Sequence, residues 1–162
     1  MVQSINLIEE IDRARSYALN AATDFKNIFQ PDDRFVLASD ADEQLILHLE
    51  FKQKVTLTGF NAYCVDGDDE KAPRELALFA NCVNPGFDSL EDAKPTEEFD
   101  LDAPDLAKET TSSLRMVKFQ KIDSVTVFVK DNNGGETTSI NNFAVYGFPV
   151  EDTRGKELKK VG

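Results

Sequence analysis

The sequence predicts an all-β fold, an antiparallel sandwich or jelly roll with short helical turns at its N-terminal end. Three observations lead there. Apolar residues recur at every second position through much of the chain from Phe35 onward, and clusters of Gly, Pro, Asn and Asp punctuate these runs. Between the runs there is no long helical crossover of the kind a parallel sheet requires.

The first thirty residues carry the helical turns. Ile5, Ile8, Ile11, Ala14, Ala18 and Leu19 follow a loose helical spacing, with Asn6 placed to cap a short helix packed on the outside of a sheet. In QLILHLEF, Leu45, Leu47, Leu49 and Phe51 share one parity and His48 and Glu50 the other, so the first set is expected inward and His48 toward solvent. Val55 and Leu57 continue inward, but after Gly59 the apolar residues move to Phe60, Ala62 and Cys64. A β-bulge at Gly59 accounts for that slip, the alternative being a strand buried on both faces.

Asp66 to Pro73 reads as an acidic loop, Arg74 to Cys82 as a strand, and Asn84 to Pro95 as a long connection. Leu114 to Gln120 and Val125 to Lys130 are predicted as strands joined by KIDS, with Val125, Val127 and Val129 inward. DNNGGE (Asp131 to Glu136) is a turn, because Asn and Gly accept positive φ. TTSINNFAVYGF then supplies a final strand, for about seven or eight in all. Residues 1–150 are expected to form one domain and residues 151–162 a polar, flexible tail.

A chain of 162 residues, 41% of them hydrophobic, is long enough to bury a core without disulfide or metal staples. The net charge of −12 is unevenly spread. Residues 1–60 hold 10 acids and 6 bases, residues 61–114 hold 14 and 4, and residues 115–162 reverse the balance with 6 and 8. The acidic body repels phosphate backbones, which argues against nucleic acid as a partner. No run is apolar enough to cross a membrane and no secretory leader is visible. Cys64 and Cys82 are not close-spaced, there is no N-x-S/T sequon, and a reducing compartment, cytosol or nucleus, is expected. The free chain is expected to be a monomer.

Little in the sequence points to catalysis. His48 is the only histidine, and it sits in a regular strand alternation rather than beside a nucleophile. Cys64 and Cys82 read as small buried hydrophobes rather than a redox pair, since no C-x-x-C is present. Asp66, Asp68, Asp69 and Glu70 lack the order of a calcium loop and read as a solvated acidic loop. The expectation is no enzyme, no cofactor and no metal. A glycan-binding surface is weakened by the absence of Trp, with Phe87 and Phe99 serving to pin the long connection to the body.

Four stretches then occur in a telling order: Ser39 to Val55, APRELALFAN (Ala72 to Asn81), PTEEFDL (Pro95 to Leu101), and Leu114 to Val150. Together, from about Asn6 to Gly162, they resemble the PITH domain, the proteasome-interacting module of thioredoxin-like proteins. The resemblance implies a galactose-binding-like β-sandwich that docks on the regulatory particle of the 26S proteasome, without enzymatic activity. The thiol chemistry of thioredoxin-like proteins belongs to a separate C-x-x-C domain and is not implied here. Arg154, Lys156, Lys159 and Lys160 are the expected partner-binding residues, because they form a basic cluster on an acidic chain. A glycan- or small-ligand-binding module of the galactose-binding-like type is the competing expectation.

Overall fold

The alternation that begins at Leu45 runs much further than one ordinary strand. A computed structural model describes residues 4–150, and in it β4 spans Leu45–Tyr63. The other strands are β1 (Ile5–Asn6), β2 (Tyr17–Leu19), β3 (Leu37–Ala38), β5 (Pro73–Ala80), β6 (Glu97–Asp100), β7 (Ser112–Ser113), β8 (Ile122–Asn132), β9 (Ser139–Ile140) and β10 (Asn142–Pro149). Among the described residues an α-helix, α1 (Phe87–Asp92), lies in the connection after β5, and short 3-10 turns occupy Ile8–Glu10, Phe25–Phe29, Ala103–Leu106 and Met116–Lys118. The helical spacing read from Ile5 to Leu19 holds only for Ile8–Glu10, since Ile5 and Asn6 lie in β1 and Ala18 and Leu19 in β2. Leu7, not Asn6, is the cap, although Asn6 Oδ1 does accept the Ile8 N–H at 3.0 Å.

All strand pairings among the described residues are antiparallel. Eight of these strands form one continuous hydrogen-bonded sheet, and β3 and β9 form a separate pair. β4 divides the large sheet into two parts, called the first and second sheet: the first half of β4 pairs with β2 and β8, and β8 continues through β5 to β6. The second half pairs with β10 and β7, and β10 with β1. The register shift between Glu50 and Val55 marks where β4 passes from one set of partners to the other. Leu45, Leu47 and Leu49 stand opposite Val129, Val127 and Val125, and all six are buried in one core with Phe60, Phe143 and Val145 from the second half. The inward sets are therefore those the alternation predicts.

The slip at Gly59 is a β-bulge. Tyr146 pairs with Gly59 but the next residue, Gly147, pairs with Leu57, so Thr58 is the extra residue on β4. Past it, Phe60, Ala62 and Cys64 turn inward, and Phe60 stacks on Phe143 at 5.6 Å and meets Phe99 edge-on at 4.9 Å. Phe99 and Phe87 do pin the connection, Phe87 lying edge-on to Phe128 at 5.9 Å. That second contact belongs to a smaller cluster of Ile46, Ala77, Phe79, Leu90 and Phe128 on the other side of the first sheet, which α1 covers.

Two readings of the sequence are corrected. Leu114 to Gln120 is not a strand: Met116–Lys118 form a 3-10 turn, because Leu114 and Phe119 are the buried residues and five positions apart they cannot share a strand face. The stretch taken as one final strand is two, β9 and β10, broken at Asn141, whose side chain bonds the backbone of Asp33 and Val65.

Gly147 lies where β10 meets the bulge, and a Cβ there would overlap the carbonyl oxygen of Thr56. Gly147→Ala should therefore cost about 2–4 kcal/mol in urea unfolding, since backbone rather than a side chain must move. A loss below about 0.5 kcal/mol would show that the bulge does not fix this register.

Candidate functional site

The bulge also decides what the second sheet shows to the outside. With Phe60, Ala62, Phe143 and Val145 inward, Asn61, Tyr63, Asn142, Ala144 and Tyr146 face outward, and the register sets Asn142 beside Tyr63 and Ala144 beside Asn61. They floor a cleft of about 190 Å³. Gln30, Pro31 and Asp33 form one wall and Lys108 and Glu109 the other. Hydrogen bonds from the floor hold both walls: Asn142 Nδ2 donates to Gln30 O at 3.2 Å, Tyr63 Oη to Asp33 Oδ2 at 3.1 Å, and Asn61 Nδ2 to Ala107 O at 3.1 Å. The Lys108 ammonium lies 5.7 Å from the Tyr63 ring centre. A shallow, fixed cleft of amides, two tyrosines and mixed charge suits a polar ligand or a partner side chain. Its signal in the sequence was the polar and aromatic parity of NAY and NFAVY.

A second cleft of about 240 Å³ shares Asp33 and Asn141 with the first and reaches the acidic loop through Val65, Asp66 and Asp69. The loop is tied down by its own carboxylates. Asp66 Oδ1 accepts the Asp68 N–H and Asp69 Oδ1 the Lys71 N–H, while Glu70 O receives the N–H groups of Asn133 and Gly135 in the predicted turn. Among the described residues no group of three or more His, Cys, Asp or Glu side chains converges as metal ligands do. The expected partner-binding residues Arg154, Lys156, Lys159 and Lys160 lie outside the described residues.

His48 is on the predicted face but does not meet solvent: it is 3% exposed. β2 extends the sheet beside β4 and sets Tyr17 directly opposite His48, so the Tyr17 ring, 5.0 Å from the imidazole, flanks it on one side and Thr126 of β8 on the other. Both ring nitrogens are engaged, Nδ1 with Thr126 Oγ1 at 2.7 Å and Nε2 with Glu50 Oε2 at 2.6 Å. Thr126 is fully buried, so this small network satisfies polar groups that would otherwise be stranded. It underlies an open cleft of about 470 Å³ rimmed by Arg15, Tyr17, Cys82 and Asp123.

The cysteines diverge. Cys64 is a buried core residue as expected, but Cys82 is only half-buried at the rim of the His48 cleft, and both are free thiols. Asn81, at φ 56°, ends the regular run of β5 and brings Cys82 to the face of the smaller cluster. Desolvation pushes the Cys64 thiol up from an ordinary 9.0 to about 12, and burial also raises Cys82.

With this geometry in view, the family decides the comparison: the PITH domain model matches residues 2–161. The chain belongs to the PITH domain family. It is 33% identical over 141 residues to Thioredoxin-like protein 1 of Schizosaccharomyces pombe, covering 85% of this chain and 49% of that protein. It is 30% identical over 157 residues to PITH domain-containing protein 1 of Danio rerio, covering 91% and 72%. The chain thus spans about half the length of the first of these relatives. Among solved structures it is similar to the family 32 carbohydrate-binding module of Clostridium perfringens NanJ in complex with galactose, with a TM-score of 0.61 at 10% identity over 89% of this chain and 99% of that one. The C-terminal domain of a chitobiase from Bacteroides fragilis gives 0.55 at 8% identity, over 87% and 99%. At such identities these likenesses speak for the fold, a galactose-binding-like jelly-roll β-sandwich.

The raised pKa of Cys64 has a pH consequence. Between pH 9 and about 12 its thiol is neutral in the fold and ionised in the unfolded chain. The stability it contributes is fully present below pH 9 and lost as pH rises, by up to about 1.4 kcal/mol per unit. Wild type should therefore lose urea stability more steeply than Cys64→Ala between about pH 9 and 11. Parallel curves for the two proteins would show the thiol to be solvated.

Proposed function

We propose that this PITH domain is a non-catalytic protein-interaction module that docks on the regulatory particle of the 26S proteasome. The observation that carries the reading is the extent of the family match, which takes in the sandwich and the basic C-terminal stretch together, through residue 161. In this reading residues 1–150 act as one domain, monomeric when free and working in the cytosol or nucleus, and residues 151–162 as a tail that reaches the partner. The arrangement of the polar groups supports it. Both ring nitrogens of His48 are taken up by Thr126 and Glu50 at the base of its cleft, and the Cys64 thiol is held neutral in the core, a set of satisfied polar groups that supports a structural role for both.

The tail's part follows from charge. Arg154, Lys156, Lys159 and Lys160 engage an acidic partner surface that the acidic body would repel. Each exposed ion pair is worth roughly 0–1 kcal/mol, so the cluster acts only in sum. Deleting residues 151–162 should weaken capture of purified proteasome roughly tenfold at low salt without changing the urea midpoint, and added salt should weaken the intact chain more than the deletion. Equal capture by both chains would remove the tail from the interface, and no capture by either would remove the proteasome.

A second reading, binding of a glycan or other small polar ligand, is favoured by the cleft floored by Asn61, Tyr63 and Tyr146 together with the fold shared with a galactose-bound module. Glycan-array binding lost in Tyr146→Ala would establish it. An array without signal would set it aside.

A further inference from the structure

Leu114 to Lys121, where an expected strand is a turn, also breaks the charge pattern of the body. It reads L-R-M-V-K-F-Q-K, with three bases and no acid on a chain of net charge −12. Two adjacent apolar residues are set between those bases, and the 3-10 turn points both outward: Met116 is 41% exposed and Val117 77%. A strand would have turned one of them inward.

This knuckle is fastened at both ends. Leu114 N–H donates to Thr58 O at 2.9 Å, Leu57 N–H to Phe119 O at 3.1 Å, and Lys121 N–H to Thr56 Oγ1 at 3.3 Å. Phe119 is fully buried beneath it, and the Arg115 N–H is held by Glu97 Oε1 at 2.9 Å. The apolar side chains are thus presented on a fixed backbone, which lowers the ordering cost of binding. Among the described residues none of Arg115, Lys118 and Lys121 is ion-paired.

The knuckle also adjoins the end of β10: Phe148 and Pro149 pair with Thr56 and Val55 on one side of β4, and Lys121 and Ile122 meet the same two residues from the other.

We propose that Met116 and Val117, framed by Arg115, Lys118 and Lys121, are a docking surface for a partner segment that interleaves acidic with large apolar side chains. This rests on the docking reading above and adds to it a contact on the folded body. Charge complementarity selects that occupant, since a basic or neutral segment would leave the three cations unanswered beside the acidic body.

The test is capture of purified proteasome regulatory particle by the immobilised full chain, by M116S/V117S, by R115Q/K118Q/K121N, and by V83S as a control at an exposed apolar residue elsewhere. Urea midpoints certify that each variant is folded. Expected is at least a tenfold loss for both knuckle variants and less than twofold for V83S, with the salt dependence reduced only in the charge variant. Wild-type capture with both knuckle variants unimpaired overturns the knuckle and leaves the docking reading standing. If the wild type captures nothing, the docking reading fails and the knuckle is judged by fluorescence anisotropy with two labelled 15-residue peptides. One interleaves Asp and Glu with Leu and Phe; the other carries Lys in place of the acids. Saturable binding of the acidic peptide alone, lost in both variants, supports the surface. No binding, or binding unchanged in the variants, overturns it.

Discussion

Nineteen consecutive residues of β4 pair with one group of strands in their first half and another in their second. Across the irregular stretch between Glu50 and Val55 the strand changes partners while Phe51, Val55 and Leu57 keep the same inward parity, and the bulge at Thr58 then switches that parity. Without the bulge, Phe60, Ala62 and Cys64 would face out, and Asn61 and Tyr63 would occupy the core. Gly59 answers a close approach, because a Cβ would come 2.6 Å from Thr111 Cγ2 and 3.0 Å from Ser112 O, where β7 packs. One extra residue thus sets the core of the second sheet, the outer cleft and the seat of the segment leading to the knuckle.

The first sheet is buried on both faces for part of its area, which changes the rules for its polar residues. Ile46 and Phe128 pack against the α1 side chains, while the positions beside them, His48 and Thr126, are flanked by the Tyr17 ring from the neighbouring strand β2. A buried imidazole and hydroxyl are costly unless bonded, and here each answers the other with Glu50 closing the set. Glu50 is itself approached by Arg15 at 3.6 Å. The arrangement explains a histidine in this position structurally.

Much of this was legible in the sequence because period-two alternation needs only local information. The Leu45, Leu47, Leu49 and Phe51 set, its partners Val125, Val127 and Val129, and the slip at Gly59 all follow from side-chain parity. What was not legible depends on elements distant in sequence. Whether His48 meets water is decided by Tyr17, thirty-one positions earlier, and the half-burial of Cys82 by the positive φ of Asn81. Leu114 to Gln120 misled for a different reason. Its apolar content is that of a strand, but Met116 and Val117 are adjacent and both outward, and only the anchors at Leu114 and Phe119 reveal the turn. The outer cleft was hidden because its floor is polar, although the parity of Asn61, Tyr63, Asn142 and Tyr146 was there to be read.

Local conflict of this kind carries information of its own. Natural sequences tend to agree with their fold at each level, and departures concentrate where something besides stability is being served. Val117 in a turn gains nothing from packing, and three unpaired cations on one short segment gain little from neighbours within the described residues. Folding alone would favour polar residues at these positions. Their uneven charge has an effect at a distance as well. Acids dominate residues 1–114 and bases residues 115–162, and Arg115, Lys118 and Lys121 gather three of those bases on the knuckle. In the proposed docking the knuckle's cations would orient the approach of an acidic surface before contact, and the apolar pair would resist dissociation once water is expelled. The two contributions would then separate in kinetics, the cations acting mainly on association and its salt dependence, Met116 and Val117 mainly on the lifetime of the complex.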